Sequence, residues 1–139
     1  SDRNTPEAVE FARQLGRALG FAHIRVLSCA EHDRMIGYVS QLTHAIAVSL
    51  MCAPGAERFA EYTGDSFRDL TRIARINETM WAELFLWNRE NLIDEIDGFT
   101  ARLQALKSYL QQGDRAALEE MFRQSTRARA AFDKKEKEE

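Results

Sequence analysis

The sequence predicts an all-α protein, a helical bundle with one long helix. Three observations predict this class. The 139 residues show almost no alternation of polar and apolar side chains, they include only two prolines and seven glycines, and the apolar residues recur at three- and four-residue intervals. Hydrophobic residues make up 45% of the chain and charged residues 29%, a composition typical of a folded domain with a core.

The N-terminal part of the chain, residues 1–27, predicts a helix followed by a short strand. NTPE at residues 4–7 is a typical helix start, because Asn or Thr caps the first turn and proline fits its first position. Gly20 then ends the helix. HIRVL at residues 23–27 predicts a strand that needs a partner, and this chain offers no good one. SCAE at residues 28–31 fits a capping box that begins the next helix.

The stretch EHDRMIGYVSQLTHAIAVSLM at residues 31–51 predicts a long, mostly apolar helix with one polar stripe. Asp33, Ser40 and His44 are spaced by seven and four residues. At about 100° per residue they lie within roughly 40° of one another, and Gln41 flanks them. The stripe either faces water or lines a polar site.

Shorter segments follow this helix. APG at residues 53–55 ends it, and residues 57–62 are expected to form one or two helical turns. GDS at residues 64–66 is a turn before a short helix at residues 67–75. Asn77 then caps the next helix.

Residues 78–112 predict one long helix that only Gly98 interrupts and Gly113 ends. Apolar residues alternate four and three apart along it and form a heptad seam: Leu92, Ile96, Phe99, Leu103, Leu106 and Leu110. About 35 residues span roughly 52 Å, whereas a compact globule of this length is only about 37 Å across. The helix therefore breaks at Gly98 or projects towards a partner, and we favour an intertwined dimer. Asp114 caps a last helix, and the tail KKEKEE at residues 134–139 is a solvated charge run.

Charge, cysteines and hydropathy argue against several classes of function. A net charge of −3 with 19 scattered basic residues argues against a nucleic-acid partner. Cys29 and Cys52 lie far apart without a CxxC motif, which fits reduced thiols. Without a signal peptide or a long apolar run, we expect a cytoplasmic protein with no membrane contact. His32 and His44 are twelve residues apart and no HExxH occurs, so we expect no metal site.

Outside the polar stripe, the candidate site residues are an arginine and a tryptophan. Arg68 and Arg72 share a helix face at i, i+4, where like charges repel unless Asp69 or a bound anion compensates. The planar guanidinium fork of Arg72 suits a carboxylate. The aromatic cluster around Trp81 is more typical of a core or an interface. No GxGxxG, Walker A loop or GxSxG elbow occurs in the chain.

At EHD, SQLTH, FRDLTRIA and MW the sequence resembles the C-terminal helical domain of prephenate dehydrogenases, within the superfamily of 6-phosphogluconate-dehydrogenase-like C-terminal domains. The resemblance covers nearly the whole chain. The matching stretches are LGRALGFAHIRVLSCAEHD at residues 15–33, YVSQLTHAIA at 38–47, GDSFRDLTRIA at 64–74, MWAELFLWNRENLIDEIDGF at 80–99 and LQALKSYLQQGDRAALEEMF at 103–122.

The resemblance implies an oxidoreductase of tyrosine and aromatic amino acid biosynthesis, which oxidises prephenate to 4-hydroxyphenylpyruvate and CO2 with NAD or NADP. It also implies that the nucleotide site and the catalytic His lie in an N-terminal Rossmann domain that this chain lacks. The fragment alone should then bind no cofactor and be inactive. The implied partners are a second copy of the chain, prephenate, and tyrosine as an inhibitor.

The implied domain limits follow from the same resemblance. Residues 1–27 would be the end of the nucleotide-binding domain, with the strand at residues 23–27 left over from its sheet. Residues 28–133 would be the helical dimerisation and substrate-binding domain, and residues 134–139 a charged tail.

The resemblance implies roles for site residues but no catalytic residue in this chain. The substrate-binding residues would be Ser40, Gln41, His44, Arg72 and Trp81. His44 and Ser40 match an SHLPH-like motif, in which Gln41 replaces a common His. Arg72 would grip a substrate carboxylate, and Trp81 would lie near the pocket, reaching it from the partner subunit. Asp33 would support the active site across the domain boundary.

Two alternatives stay open at this point, an all-helical chorismate mutase and a purely structural helical dimer module. LIDEIDGFTARLQAL at residues 92–106 has a superficial likeness to the first helix of that mutase family. The mutase chemistry needs several Arg and Lys inside the bundle, but Arg102 and Lys107 fall off the heptad seam. In a structural module, the polar stripe would be accidental.

Overall fold

The computed structural model describes residues 4–133, which form seven α-helices and no strand, so the all-α prediction is confirmed. The helices are α1 Pro6–Ala18, α2 Cys29–Ile36, α3 Leu42–Met51, α4 Asp65–Thr71, α5 Glu78–Trp87, α6 Arg89–Gln112 and α7 Arg115–Ala130. A π-helical turn, Gly37–Gln41, joins α2 to α3, and 3-10 turns cover Ala56–Tyr62 and Arg72–Ala74. The predicted charged tail at residues 134–139 lies outside the described residues.

Four helices begin at the caps that the sequence predicts. The Glu31 N–H donates to Ser28 Oγ at 3.2 Å, and the Ser28 N–H donates to the Glu31 carboxylate at 2.8 Å, which completes the capping box of α2. Thr5, Asn77 and Asp114 cap α1, α5 and α7 through their side-chain oxygens.

The predicted strand at residues 23–27 is not a strand in this chain. These residues are neither helical nor paired, and residues 4–133 contain no strand. The physical reason is that a strand needs a neighbour for its N–H and C=O groups, and no neighbour is present in the described chain. The segment instead turns back on α1, where the Ile24 side chain comes so close to Gly16 that a Cβ there would be 2.8 Å from Ile24 Cδ1.

The long predicted helix is broken at Asn88, and the break at Gly98 that the sequence left open as one of two alternatives does not occur. Asn88 has φ −111° and ψ 27°, outside the helical region, whereas α6 runs through Gly98 without interruption. The Asn88 side chain donates a hydrogen bond to the Asp33 carbonyl, 55 positions earlier in the chain. A contact between distant segments therefore stabilises the break, and the apolar repeat along α5 and α6 does not reveal it.

The chain divides into two units at Glu95. In the first unit, α2, the π-helical turn and α3 form one continuous helix, and α3 packs on α4 and on the 3-10 turn Arg72–Ala74. In the second unit, Gly113 has a φ of 65° and ends α6, and the Asp114 N–H donates to the Tyr109 carbonyl at 2.9 Å. The predicted end of the long helix is confirmed.

Few hydrophobic side chains are buried within residues 4–133. Those that are buried are Leu42, Ala47 and Leu92. Large apolar side chains stay exposed on α1 and α6, including Phe11 at 67%, Leu103 at 52% and Leu110 at 62%. Apolar exposure on this scale is typical of an interaction surface.

No helix within residues 4–133 has both the length and the apolar character needed to cross a membrane by itself. The segments Cys29–Met51 and Ala56–Tyr62 meet those criteria only as a pair, and the chain bends by 95° between them.

Replacing Glu31 by Gln tests the capping box through its pH dependence. The Ser28 backbone N–H and, second, the Ser28 hydroxyl hold the pKa of Glu31 below its usual 4.5. Because the folded pKa is the lower one, the carboxylate stabilises the fold above about pH 4.5, and this contribution is lost as the pH falls through the folded pKa. In urea unfolding of the chain, the advantage of the native sequence over Glu31→Gln should therefore shrink as the pH drops below 4.5.

The matched control is Glu61→Gln, because the Glu61 carboxylate makes no side-chain hydrogen bond within the described residues. An equal pH-dependent loss in both variants would contradict the capping role of Glu31.

Candidate functional site

The His44 imidazole stacks on the Trp81 indole, with ring centroids 3.8 Å apart and planes inclined by 27°. The Phe85 ring meets the indole edge-on, with centroids 5.7 Å apart and an angle of 85° between the planes. Trp81 and Phe85 lie four residues apart on α5 and so share one face. The stack forms within one chain, and the reach of Trp81 to the pocket from the partner subunit stays a prediction.

α2, the π-helical turn and α3 form one continuous helix. Three contacts join this helix to α5 and to its C-cap residue, Asn88. They follow antiparallel order: Gly37 with Asn88, Gln41 with Leu84, and His44 with Trp81. Each step along one helix is matched by an equal step back along the other. Gly37 is buried, and a Cβ there would lie 3.6 Å from Asn88 Nδ2, so the two segments approach closely at this end.

Gln41 is only 4% exposed, and both ends of its amide are bonded within the protein. Its Nε2 donates to the Leu84 carbonyl at 3.0 Å, and its Oε1 accepts from Asn88 Nδ2 at 2.7 Å. The amide therefore ties the π-helical turn to the end of α5. A contact between Gln41 and substrate stays a prediction.

The backbone of Ser40 fixes the tautomer of His44. His44 Nδ1 lies 2.9 Å from the Ser40 carbonyl oxygen, which only accepts, so Nδ1 carries a hydrogen and donates it. Nε2 is then the nitrogen available to a ligand, as an acceptor when the ring is neutral and as a donor when it is protonated. The same carbonyl also accepts from Thr43 Oγ1 at 2.6 Å. Ser40 thus positions His44 through its carbonyl, and a substrate contact of its hydroxyl stays a prediction.

The π-helical turn interrupts the regular spacing on which the polar stripe depends. The Leu42 N–H bonds to the Gly37 carbonyl, five residues back, and such a turn holds one residue more than an α-helical turn. Residues beyond it are rotated by roughly one residue step, about 100°, relative to those before it. Asp33 is therefore out of line with His44. Its carboxylate lies 3.0 Å from His32 Nδ1, and its supporting role in the active site stays a prediction.

Arg72 lies on a 3-10 turn that packs against α3, the helix that carries His44. Its side chain is exposed, and within residues 4–133 it forms no ion pair, so the suggested pair with Asp69 is not present. Arg68, by contrast, donates to Asp65 at 2.7 Å. Of these two neighbouring arginines, Arg72 is thus the one whose guanidinium is available to an external anion.

Asn88 is the residue of this site that the sequence patterns did not single out. Its Nδ2 donates to the Asp33 carbonyl at 2.8 Å as well as to Gln41, and its Oδ1 accepts from Asn91 Nδ2 at 2.7 Å. The available signal was a polar residue of modest helix propensity directly after the apolar run LFLW. A polar cleft of about 270 Å³ opens beside it, lined by Asp33 and residues 86–91.

Two features of dinucleotide and metal sites are absent from residues 4–133. A Rossmann phosphate loop lies between a strand and a helix, and residues 4–133 contain no strand. Over the same range, no three His, Cys, Asp or Glu side chains are grouped to hold a metal ion.

The model of the family described as prephenate dehydrogenase, dimerization domain, matches residues 28–124. A cyclohexadienyl dehydrogenase from Zymomonas mobilis is 31% identical over 138 residues, covering 94% of this chain and 47% of that protein. A prephenate dehydrogenase from Bacillus subtilis is 30% identical over 125 residues, covering 84% of this chain and 32% of that protein. The chain thus spans about a third to a half of the length of these relatives.

A solved structure has the same fold over most of this chain. It is the prephenate dehydrogenase from A. aeolicus, crystallised in complex with hydroxyphenyl propionate and NAD+. The TM-score is 0.81 at 29% identity, and the match covers 96% of this chain and 48% of that chain.

Replacing Gln41 by Leu should destabilise the chain, because it keeps a similar volume but removes both bonds of the buried amide. The Leu84 carbonyl and one Asn88 N–H then lose their partner, which costs about 1–3 kcal/mol in the free energy of unfolding. Denaturant unfolding measures the loss. Gln112→Leu is the matched control, because the Gln112 amide is exposed and bonds only to Ser108. A similar loss in both variants would contradict the role of the buried amide.

Proposed function

This chain belongs to the prephenate dehydrogenase dimerization-domain family, and we propose that it is the dimerising and substrate-binding part of a longer NAD- or NADP-dependent prephenate dehydrogenase. The observation that carries the proposal is that the matched range, residues 28–124, contains every predicted site residue. The family match gives no support to the two alternatives, a chorismate mutase and a purely structural dimer module.

The proposed reaction converts prephenate to 4-hydroxyphenylpyruvate. Hydride leaves the ring carbon that bears the hydroxyl, CO2 leaves the carboxylated ring carbon, and the ring becomes aromatic, which drives the reaction. The nicotinamide cofactor accepts the hydride when it is bound, and we assign its site to the part of the longer protein that this chain lacks. The residues of this chain bind and orient the substrate.

Arg72 is the proposed ligand of a prephenate carboxylate. Its exposed guanidinium has no acidic partner within residues 4–133, and the turn that carries it packs on α3. A guanidinium can bind a carboxylate through two parallel hydrogen bonds, which fixes orientation as well as charge. Paired Arg68 serves as the natural comparison, since Asp65 already neutralises it.

His44 is proposed to present Nε2 to a polar group of the substrate. The Ser40 carbonyl holds the opposite ring nitrogen, and the Trp81 indole covers one face of the imidazole. This arrangement leaves the ring little rotational freedom, so binding loses little entropy when the hydrogen bond to substrate forms. His44 is thus a substrate-positioning residue and not the catalytic base.

The proposed assembly is a homodimer through the apolar seam of α6. Leu103 and Leu110 lie seven residues apart on this helix, both more than half exposed, as expected for a heptad seam that packs against a second copy. We also infer a cytoplasmic location, which the free thiols of Cys29 and Cys52 support, and inhibition by tyrosine as an analogue of the aromatic product.

Truncation tests directly whether this chain supplies dimerisation while the cofactor site lies in the rest of the longer protein. The 139-residue chain should dimerise but should not reduce NAD or NADP with prephenate, whereas the full-length protein should do both. Absorbance of the reduced nicotinamide measures turnover. Prephenate oxidation by this chain alone would contradict the proposal.

In the full-length enzyme, Arg72→Ala should raise the KM for prephenate by about 10–100-fold, because a charged hydrogen bond worth about 1.5–3 kcal/mol is lost. Steady-state kinetics at saturating cofactor measure the change. Arg68→Ala is the matched control, since it removes the same group four residues earlier in the chain and breaks the pair with Asp65. An unchanged KM in Arg72→Ala would rule out the assigned role.

The double variant Leu103→Glu with Leu110→Glu should dissociate the dimer, because it would bury carboxylates without partners in the seam. The dimer dissociation constant should rise by at least about 100-fold, equivalent to about 2.8 kcal/mol. Sedimentation equilibrium measures it. Lys107→Glu, on the same helix but off the seam, should leave the constant nearly unchanged, and equal effects would contradict the seam.

A further inference from the structure

We propose that Asn88 is a positioning residue that, through Gln41, aligns His44 and Trp81 for substrate. The alignment follows from the geometry of the chain alone. Its effect on prephenate rests on the proposed function.

The hydrogen bonds of the two amides allow only one arrangement. The Leu84 carbonyl can only accept, so it takes the Nε2 hydrogen of Gln41 and leaves Gln41 Oε1 facing Asn88. Asn88 must then offer Nδ2, whose second hydrogen goes to the Asp33 carbonyl. Asn88 Oδ1 accepts from Asn91. Both hydrogens of the Asn88 amide and its oxygen are used, so a carboxylate of the same shape cannot replace it.

Asn88 connects three segments at the break between α5 and α6. It bonds to Asp33 in α2, to Gln41 in the π-helical turn and to Asn91 in α6. Its backbone dihedrals lie outside the helical region, although its N–H still donates to the Leu84 carbonyl and its own carbonyl accepts from the Leu92 N–H. The Asn88 side chain thus adds contacts to α2 and to the π-helical turn at the point where α5 gives way to α6.

The consequence for the stack follows from sequence adjacency. Gln41 is followed within one turn by His44, and Leu84 is preceded within one turn by Trp81. The residue next to Gln41 is Ser40, whose carbonyl accepts the His44 Nδ1 hydrogen. A shift of the Gln41 amide thus moves both the anchor of the imidazole and the spacing between the two helices. Asn88 fixes that amide from the side opposite to Leu84.

The test is Asn88→Asp in the full-length enzyme, where a carboxylate oxygen would face the Asp33 carbonyl and Gln41 Oε1 at the present distances of 2.8 and 2.7 Å. The KM for prephenate should rise at least about 10-fold, while kcat and the KM for the cofactor change less than about threefold. The His44 ring-proton resonance, shifted by the Trp81 ring current, should move towards its unstacked position in protein with labelled histidine. Asn77→Asp is the charge-matched control, since Asp caps a helix as well as Asn does.

Asn88→Ala removes the amide without adding charge and replaces the first variant if that one does not fold. A folded variant in which the His44 resonance stays in place overturns the alignment. A resonance that moves without a change in the KM for prephenate overturns the role in substrate positioning. If the native enzyme does not oxidise prephenate, the proposed function fails, but the resonance still decides the alignment.

Discussion

The hydrogen bond between the buried amide of Gln41 and the half-buried amide of Asn88 is the interaction on which the rest of the site depends. Apolar side chains can slide past one another at little cost, whereas a buried amide must find its donors and acceptors in place. The Gln41–Asn88 pair, with the bonds of Gln41 to the Leu84 carbonyl and of Asn88 to the Asp33 carbonyl, therefore fixes the register of two helices that also meet at Gly37 and in the stack of His44 on Trp81. The site is one consequence of that register.

The sequence predicted those parts of the fold that depend on contacts between residues close together in the chain. The caps at Ser28 and Asp114 depend on side chains that reach three residues along the chain, so the sequence contains all the necessary information. The break at Asn88 depends on partners 47 and 55 positions away, and helical periodicity says nothing about such contacts. The segment at residues 23–27 shows the opposite error, because its composition favours a strand but strand formation needs a neighbour that the described chain does not contain.

The site was predictable in part. Residue spacing singled out His44 and Arg72, and the family resemblance added Trp81. Spacing predicted Arg68 and Arg72 on one helix face, and in the structure the ion pair of Arg68 with Asp65 distinguishes the two arginines. Spacing did not predict the π-helical turn, because helical periodicity carries no sign of one extra residue in a turn. The ring nitrogen that His44 presents follows only from the position of a backbone carbonyl.

A backbone carbonyl anchors His44, so the orientation of the imidazole and the identity of the side chain at position 40 are independent of each other. A side-chain anchor would make the first depend on the second. Every amino acid at position 40 supplies the same carbonyl, so the orientation of the imidazole does not depend on which residue stands there. The side chain at that position, for which we propose a substrate contact, is then free to change while Nε2 keeps its direction. Substrate preference can diverge at this position among descendants of one sequence without loss of the histidine's presentation.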